Sequence, residues 1–242
     1  MRQLQIGMSE TAAQAVVSLI QETVARAGLF SLVLSGGSTP GPLYHCLAAN
    51  YAAHVPWARI HLFWGDERGV PPDHPDSNYR MAFETLIAHV PIPPDHVHRI
   101  QGEAATTLAA AAYEEELRRF ALRTGQGSRL AFDLILLGMG EDGHTASLFP
   151  GAAALAETQR WVVATEAPAD AAIRSRVTLT LPLINQARQV FFLVSGAAKR
   201  PLLQMMAEQP AEAARRLPVA RVRPSIPPTW FLDEAAAPSA AA

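Results

Sequence analysis

The sequence predicts an α/β fold, a mostly parallel, doubly wound sheet with helices on both faces. Three observations carry this reading. Short apolar runs of strand length alternate along the chain with longer stretches that have helical periodicity. That alternation favours parallel strands joined by right-handed crossovers. No internal repeat or linker interrupts it, so one domain is expected over residues 1–234, followed by a frayed Ala-rich tail at 235–242. Four of the runs also end abruptly in polar, glycine-containing breaks, at 35–39, 65–68, 138–144 and 195–199. A Rossmann-like sheet collects such strand ends around one crevice, and ligands bind there.

Composition narrows the function. The 242 residues are 49% hydrophobic and 17% charged, enough apolar material for a full core. A net charge of -2 without any basic block gives no nucleic-acid footprint. The single cysteine, Cys46, excludes an internal disulfide and suits a reducing compartment. The first residues lack a signal-peptide core, and no uncharged run is long enough to span a bilayer. The expectation is a soluble, cytoplasmic protein with no membrane partner, either a monomer or a small homo-oligomer.

Taken in order, Ser9 suits the N-cap of a helix running to about Ala27, with Val16, Leu19, Ile20 and Val24 near one face and Gly28 as its stop. Residues 29–34 (LFSLVL) form a buried strand that runs into Ser35-Gly36-Gly37-Ser38-Thr39-Pro40, and a helix follows from Gly41 to Asn50. The next strand is 60–64, ending in Gly65-Asp66-Glu67-Arg68 and a proline-broken loop, after which Ser77 caps a helix over SNYRMAFETLIAHV. Residues 97–100 suit a short strand and 104–123 an outer helix with EEE then RR charge pairs. The central strand, 132–137, breaks into Gly138-Met-Gly140-Glu-Asp142-Gly143-His144 at a turn into a helix. Strands at 161–165 and 176–181, a short helix through Asn185, a strand at 189–194, a helix through about Met206 and a last strand at 229–232 complete the chain.

Several of these breaks suit chemistry. A strand, a loop of Ser, Gly and Thr, and a helix start together make an anion cradle, because free amides and hydroxyls converge where the helix carries partial positive charge. Ser35, Gly36, Gly37, Ser38 and Thr39 have that pattern, although a capped turn without ligand has it too. Arg68 suits bidentate contact with phosphate or carboxylate, or a salt bridge with Asp66 or Glu67. Asp142 and His144, one residue apart, can orient or polarise one another. Lys199, one turn into a helix, reaches an anion at the same sheet edge or remains a surface charge. His74, His89, His96 and His98 share no ligand spacing and read as exposed or capping histidines.

The motifs LSGGSTP (34–40), WGDERGVPPDHPDSNYRMAFETLI (64–87), DLILLGMGEDGHTASLFPG (133–151) and SGAAKR (195–200) resemble those of the 6-phosphogluconolactonase family, the α/β type related to glucosamine-6-phosphate isomerase/deaminase. The resemblance runs from about residue 9 to 232. It implies hydrolysis of 6-phospho-D-glucono-1,5-lactone to 6-phosphogluconate, a step of the oxidative pentose phosphate pathway, with no cofactor and no essential metal. It assigns the acid/base role to His144 and places Ser35, Gly36, Gly37, Ser38, Thr39, Arg68 and Lys199 around phosphate and sugar, with Arg200 a further candidate beside Lys199. Lactone hydrolysis needs an activated water, a stabilised oxyanion and a proton for the leaving alkoxide. A histidine can supply both proton transfers, with Asp142 or Asp66 holding its tautomer and Arg68 near the oxyanion or the phosphate. No G-x-S-x-G elbow is present, which favours direct attack by water.

Three rivals are weaker. The related deaminase needs a carboxylate soon after the histidine, and none occurs between His144 and Glu157. A sugar-phosphate-sensing regulator needs an N-terminal DNA-binding segment, for which the expected first helix leaves no room. A metal hydrolase on Asp142, His144, His61 or His74 lacks ligand spacing.

Overall fold

The structure, a computed structural model, describes residues 2–238, with side chains from residue 8 onward. Its five-stranded sheet has the order β2 (Ile60–Trp64), β1 (Phe30–Leu34), β4 (Leu134–Leu137), β7 (Val190–Val194) and β8 (Thr229–Leu232). Every pairing in it is parallel. β1, β4 and β7 are buried along their whole length, which is why they read as continuous apolar runs rather than alternating ones. Helices α1 (Arg2–Ala27), α2 (Gly41–Tyr51), α4 (Thr106–Arg123) and α6 (Arg200–Glu208) flank the sheet. At the end of the sheet where β4 begins, Ser31 and Asp133 exchange three hydrogen bonds of 2.7–3.0 Å, and Arg188 lies 3.2 Å from the same carboxylate.

A second sheet was not expected as a separate unit. β3 (Asp66–Arg68), β6 (Ser175–Leu179) and β5 (Val162–Glu166) pair antiparallel in that order, with Arg68 opposite Arg176 and Asp66 opposite Thr178. Asp66-Glu67-Arg68 therefore belongs to a strand rather than a free turn. The expected helix after His144 is also absent. Gly143 has φ 79° and Ala146 has φ 47°, left-handed angles that an α-helix does not accommodate, and Thr145 bridges Leu148 instead.

Smaller expectations need correction as well. α1 begins at Arg2, so Ser9 lies inside the helix, buried, rather than capping it. Residues 97–100 make a single parallel bridge, Leu62 to Val97, because one rung forms before the chain turns away. α3 (Asn78–Thr85) stops before residue 90, although Ser77 caps it as expected, accepting from the Arg80 amide at 3.2 Å. Besides the short α5 (Leu181–Ile184), a further helix, α7 (Pro210–Arg216), follows α6; Pro210 sits at its first position, where no N–H is needed. The Ala-rich end does not fray from residue 235, since Ala236 is fully buried and the amides of Ala236 and Ala237 both bond to Asp233. Residues 239–242 lie outside the described residues. Among the described residues no helix is long and apolar enough to cross a membrane.

His98 is only 7% exposed, contrary to its reading as a surface histidine. Its Nε2 lies 3.0 Å from His61 Nδ1 and its Nδ1 lies 2.9 Å from Glu116, while His96 stacks on His61 with ring centroids 3.8 Å apart. Burial, followed by the neighbouring charges of His96 and His98, pulls His61 down from 6.5 to about 4. Between those values the unfolded chain binds a proton that the folded one refuses, so stability falls as pH drops through this window. The melting temperature should accordingly decline from pH 6.5 towards 4, and His61→Phe should flatten the decline. Parallel melting curves for the two proteins would refute this.

Candidate active site

The chain leaves the sheet at the carboxyl ends of β1, β2, β4 and β7, and at each exit a side chain replaces the ladder. After β1, the buried Tyr44 hydroxyl of α2 accepts from the Ser35 amide at 2.9 Å and donates to the Ser35 carbonyl at 2.8 Å. At the end of β2, Tyr113 of α4 does the same for Trp64, at 2.9 and 3.1 Å. After β4, Thr145 donates to the Gly138 carbonyl at 2.8 Å. After β7, Asp233 accepts from Ser195 Oγ at 2.7 Å and from the Gly196 amide at 3.0 Å. These exits enclose a cleft of about 350 Å³, lined by Ser35–Pro40 on one side and Asp66, Arg68 and Asn78 on another, with Gly138–Glu141, His144, Ala146, Ser195 and Lys199 closing it.

His144 is held by its own turn. Its Nδ1 lies 2.5 Å from Asp142 Oδ1, and its backbone N–H donates to the same oxygen at 3.0 Å. Phe149 packs against the ring, with centroids 4.7 Å apart. Burial alone would raise the Asp142 carboxyl, but hydrogen bonds from the His144 ring and backbone outweigh it and hold the group below the usual carboxylate range. An ionised Asp142 can only accept, so the proton between the two sits on Nδ1 and Nε2 carries the lone pair. The turn itself is tight: Gly140 donates to the His144 carbonyl at 2.9 Å, and a Cβ on Gly140 would overlap the His144 ring.

Asp66 lines the cleft but is held elsewhere. It accepts from Asn78 Nδ2 at 3.2 Å and from Ser147 Oγ at 2.7 Å, and the acid bonded to the His144 ring is Asp142. Between Asp66 and Arg68, the buried Glu67 turns away from the cleft. One of its oxygens accepts the Arg68 and Asn78 amides at 2.8 and 2.7 Å; the other accepts Ser77 Oγ and the Tyr79 amide at 3.1 and 2.8 Å. Burial pushes this carboxyl up despite those amides. Arg68 donates to the Asp76 carbonyl at 2.6 Å, which fastens the proline-rich loop to the cleft wall.

Cationic groups occupy two sides. Lys199 lines the cleft, 15% exposed, with Nζ 3.5 Å from Glu141 at the rim. Arg200 faces away: its guanidinium donates to the Glu234 and Ala235 carbonyls, both at 3.0 Å, and fastens the C-terminal segment. Beside Arg68 stands Arg176, whose buried Nε and Nη1 find no acceptor among the described residues. Burial and the neighbouring Arg68 both lower its pKa.

The structure thus gathers Ser35, Gly36, Gly37, Ser38, Thr39, Asp66, Arg68, His144 and Lys199 around one cleft, with Asp142 directly behind His144. It does not bring Arg200 there, nor do His61 or His74 line the cleft. Asn78, Ser147, Arg176, Glu141 and Asp233 escaped sequence reasoning. Asn78 had a signal, since it follows the capping Ser77 at the start of α3; its packing against Gly36, where a Cβ would collide with its amide, is visible only in the folded chain. The others depend on contacts across long sequence separations.

Over nearly its whole length the chain is similar to known proteins of one family. Residues 5–230 match the family described as glucosamine-6-phosphate isomerases/6-phosphogluconolactonase. A 6-phosphogluconolactonase of Synechocystis is 42% identical over 228 residues, covering 94% of this chain and 91% of that protein. One from Nostoc is 40% identical over 223 residues, covering 91% and 89%. The solved structure of 6-phosphogluconolactonase from Trypanosoma cruzi superposes with a TM-score of 0.82 at 32% identity, covering 96% of this chain and 92% of that one.

Gly140→Ala should displace the His144 ring from Asp142. The expected results are loss of the downfield Nδ1 proton resonance and a fall in turnover of about 10²-fold, as a misplacement near 1 Å produces. An unmoved resonance with full turnover would contradict this account of the turn.

Proposed function

The chain belongs to the glucosamine-6-phosphate isomerase/6-phosphogluconolactonase family, and from that premise we propose that it hydrolyses 6-phospho-D-glucono-1,5-lactone to 6-phospho-D-gluconate, the second step of the oxidative pentose phosphate pathway. One observation carries the mechanism: His144, held through Nδ1 by Asp142, faces the same cleft as the Ser35–Thr39 loop and Lys199.

In this reading the phosphate rests on the loop amides and hydroxyls and on Lys199, which supply hydrogen-bond donors and a positive charge. Nε2 of His144 takes a proton from water as the water oxygen attacks the lactone carbonyl carbon. The C=O π pair becomes an oxyanion, and Arg68, with the charge of Arg176 behind it, offsets that developing charge. The intermediate then collapses, the bond from the carbonyl carbon to the ring oxygen breaks, and His144 returns its proton to the departing alkoxide. Asp142 stays ionised throughout and stabilises the transient imidazolium. Asp66, fixed by Asn78 and Ser147, offers its remaining lone pairs to sugar hydroxyls.

His144→Ala should slow hydrolysis of freshly generated lactone by roughly 10²- to 10⁴-fold relative to the wild type, after subtraction of spontaneous opening. Activity within twofold of wild type would remove His144 from the mechanism. Lys199→Met should raise KM for the phosphorylated lactone by about 10- to 10²-fold, the equivalent of one lost charge-assisted hydrogen bond. Unphosphorylated gluconolactone should be far less affected; an equal loss on both substrates would detach Lys199 from the phosphate.

A further inference from the structure

Glu141 has no part in the mechanism above, yet it is placed to control it. It sits between Gly140 and Asp142, lines the cleft, and brings Oε1 to 3.5 Å from Lys199 Nζ. Among the described residues no other acid reaches that ammonium within ion-pairing distance. The two partners are unlike: Lys199 is 15% exposed and lies where the chain leaves β7, whereas Glu141 is 75% exposed, its carboxylate open to solvent. The turn after β7 is itself fixed by Asp233, which accepts from Ser195 and Gly196, so the backbone that carries Lys199 is tied down while the Glu141 side chain has solvent to turn into.

We propose that Glu141 is an internal counterion that occupies Lys199 in the empty cleft and is displaced by the substrate's phosphate, so that it sets the affinity of the site for phosphorylated ligands. This rests on the reading of Lys199 as a phosphate ligand. An exposed carboxylate in a long ion pair is held weakly, because water solvates it well once released. A phosphate brings up to two negative charges and three acceptor oxygens to the same ammonium and outcompetes it. The competition weakens substrate binding modestly, and it acts equally on the phosphorylated product. Glu141 returns to Lys199 as product leaves, so the ammonium is not left bare. Unphosphorylated sugars need not displace Glu141 and are indifferent to it.

The test uses inorganic phosphate as the probe, with its binding constant measured by calorimetry and its inhibition constant against lactone hydrolysis. Both dissociation constants should fall about two- to fivefold in Glu141→Gln, the scale of one exposed ion pair. Glu141→Asp keeps the charge at the rim but is one methylene too short to reach Nζ, and should show the same gain. In a Lys199→Met background, Glu141→Gln should change neither constant. Three results overturn the proposal: unchanged or weaker phosphate binding in Glu141→Gln; wild-type behaviour in Glu141→Asp, which would mean repulsion from the rim without an ion pair; and an undiminished gain without Lys199. If instead Lys199→Met alone leaves phosphate binding intact, the assignment of Lys199 to phosphate fails, and that outcome is distinct from the other three.

Discussion

The cleft depends on how the parallel strands are ended. A strand leaving a sheet abandons the partners of its last N–H and C=O groups, and a buried exit cannot satisfy them with water. Here the replacements come from outside the sheet. Tyr44 and Tyr113 each use one hydroxyl as both donor and acceptor to close a single residue, Ser35 and Trp64. Thr145 and Asp233 finish the exits of β4 and β7. Because the clamps sit on neighbouring elements, helix packing and loop position are coupled. The anion loop, the histidine turn and the lysine turn are held in register by the same bonds that keep the sheet ends satisfied.

A second principle is the use of acids as internal acceptors. Asp142 faces the His144 ring, Asp66 faces Asn78 and Ser147, Glu67 gathers three amides and a hydroxyl, and Asp233 holds the turn before Lys199. For Glu67 the chemistry permits nothing but a carboxylate. Each of its oxygens meets two donors, so an amide in its place would set its own N–H₂ against N–H or O–H groups in either orientation. Buried carboxylates of this kind are costly unless fully bonded. Their cost is met here by amides that loops and helix starts must place somewhere in any case.

The positive side of the site is less fully matched. Arg68 and Arg176 share a face of the β3–β6 ladder, and two N–H groups of Arg176 lack acceptors among the described residues. Like charges held together while unsatisfied weaken the empty protein and favour an anion that enters between them. Lys199 differs, because it already has Glu141 for company. One wall therefore waits for negative charge and another exchanges one negative partner for the next.

The sequence by itself determined the parallel core and most of the cleft's inventory. Continuous apolar runs of strand length, bounded by glycine and polar breaks, suit strands covered on both faces, and a parallel sheet collects their glycine-, hydroxyl- and acid-containing ends along one edge. Ser35–Thr39, Arg68, His144 and Lys199 were legible for that reason. Tertiary structure alone decided the pairings. Nothing local says that Asp66 binds Ser147 across 81 positions rather than orienting His144, or that Asp233 steadies the lysine turn. Adjacency in the chain is no guide either. Lys199 and Arg200 lie side by side, yet the start of a helix sends one into the cleft and the other to the C-terminal carbonyls. The antiparallel ladder of β3, β6 and β5 was hidden because β3 is only three residues long and takes its strand character from partners more than a hundred positions away. Periodicity records which residues must be covered; which residue covers them is settled only when distant segments meet.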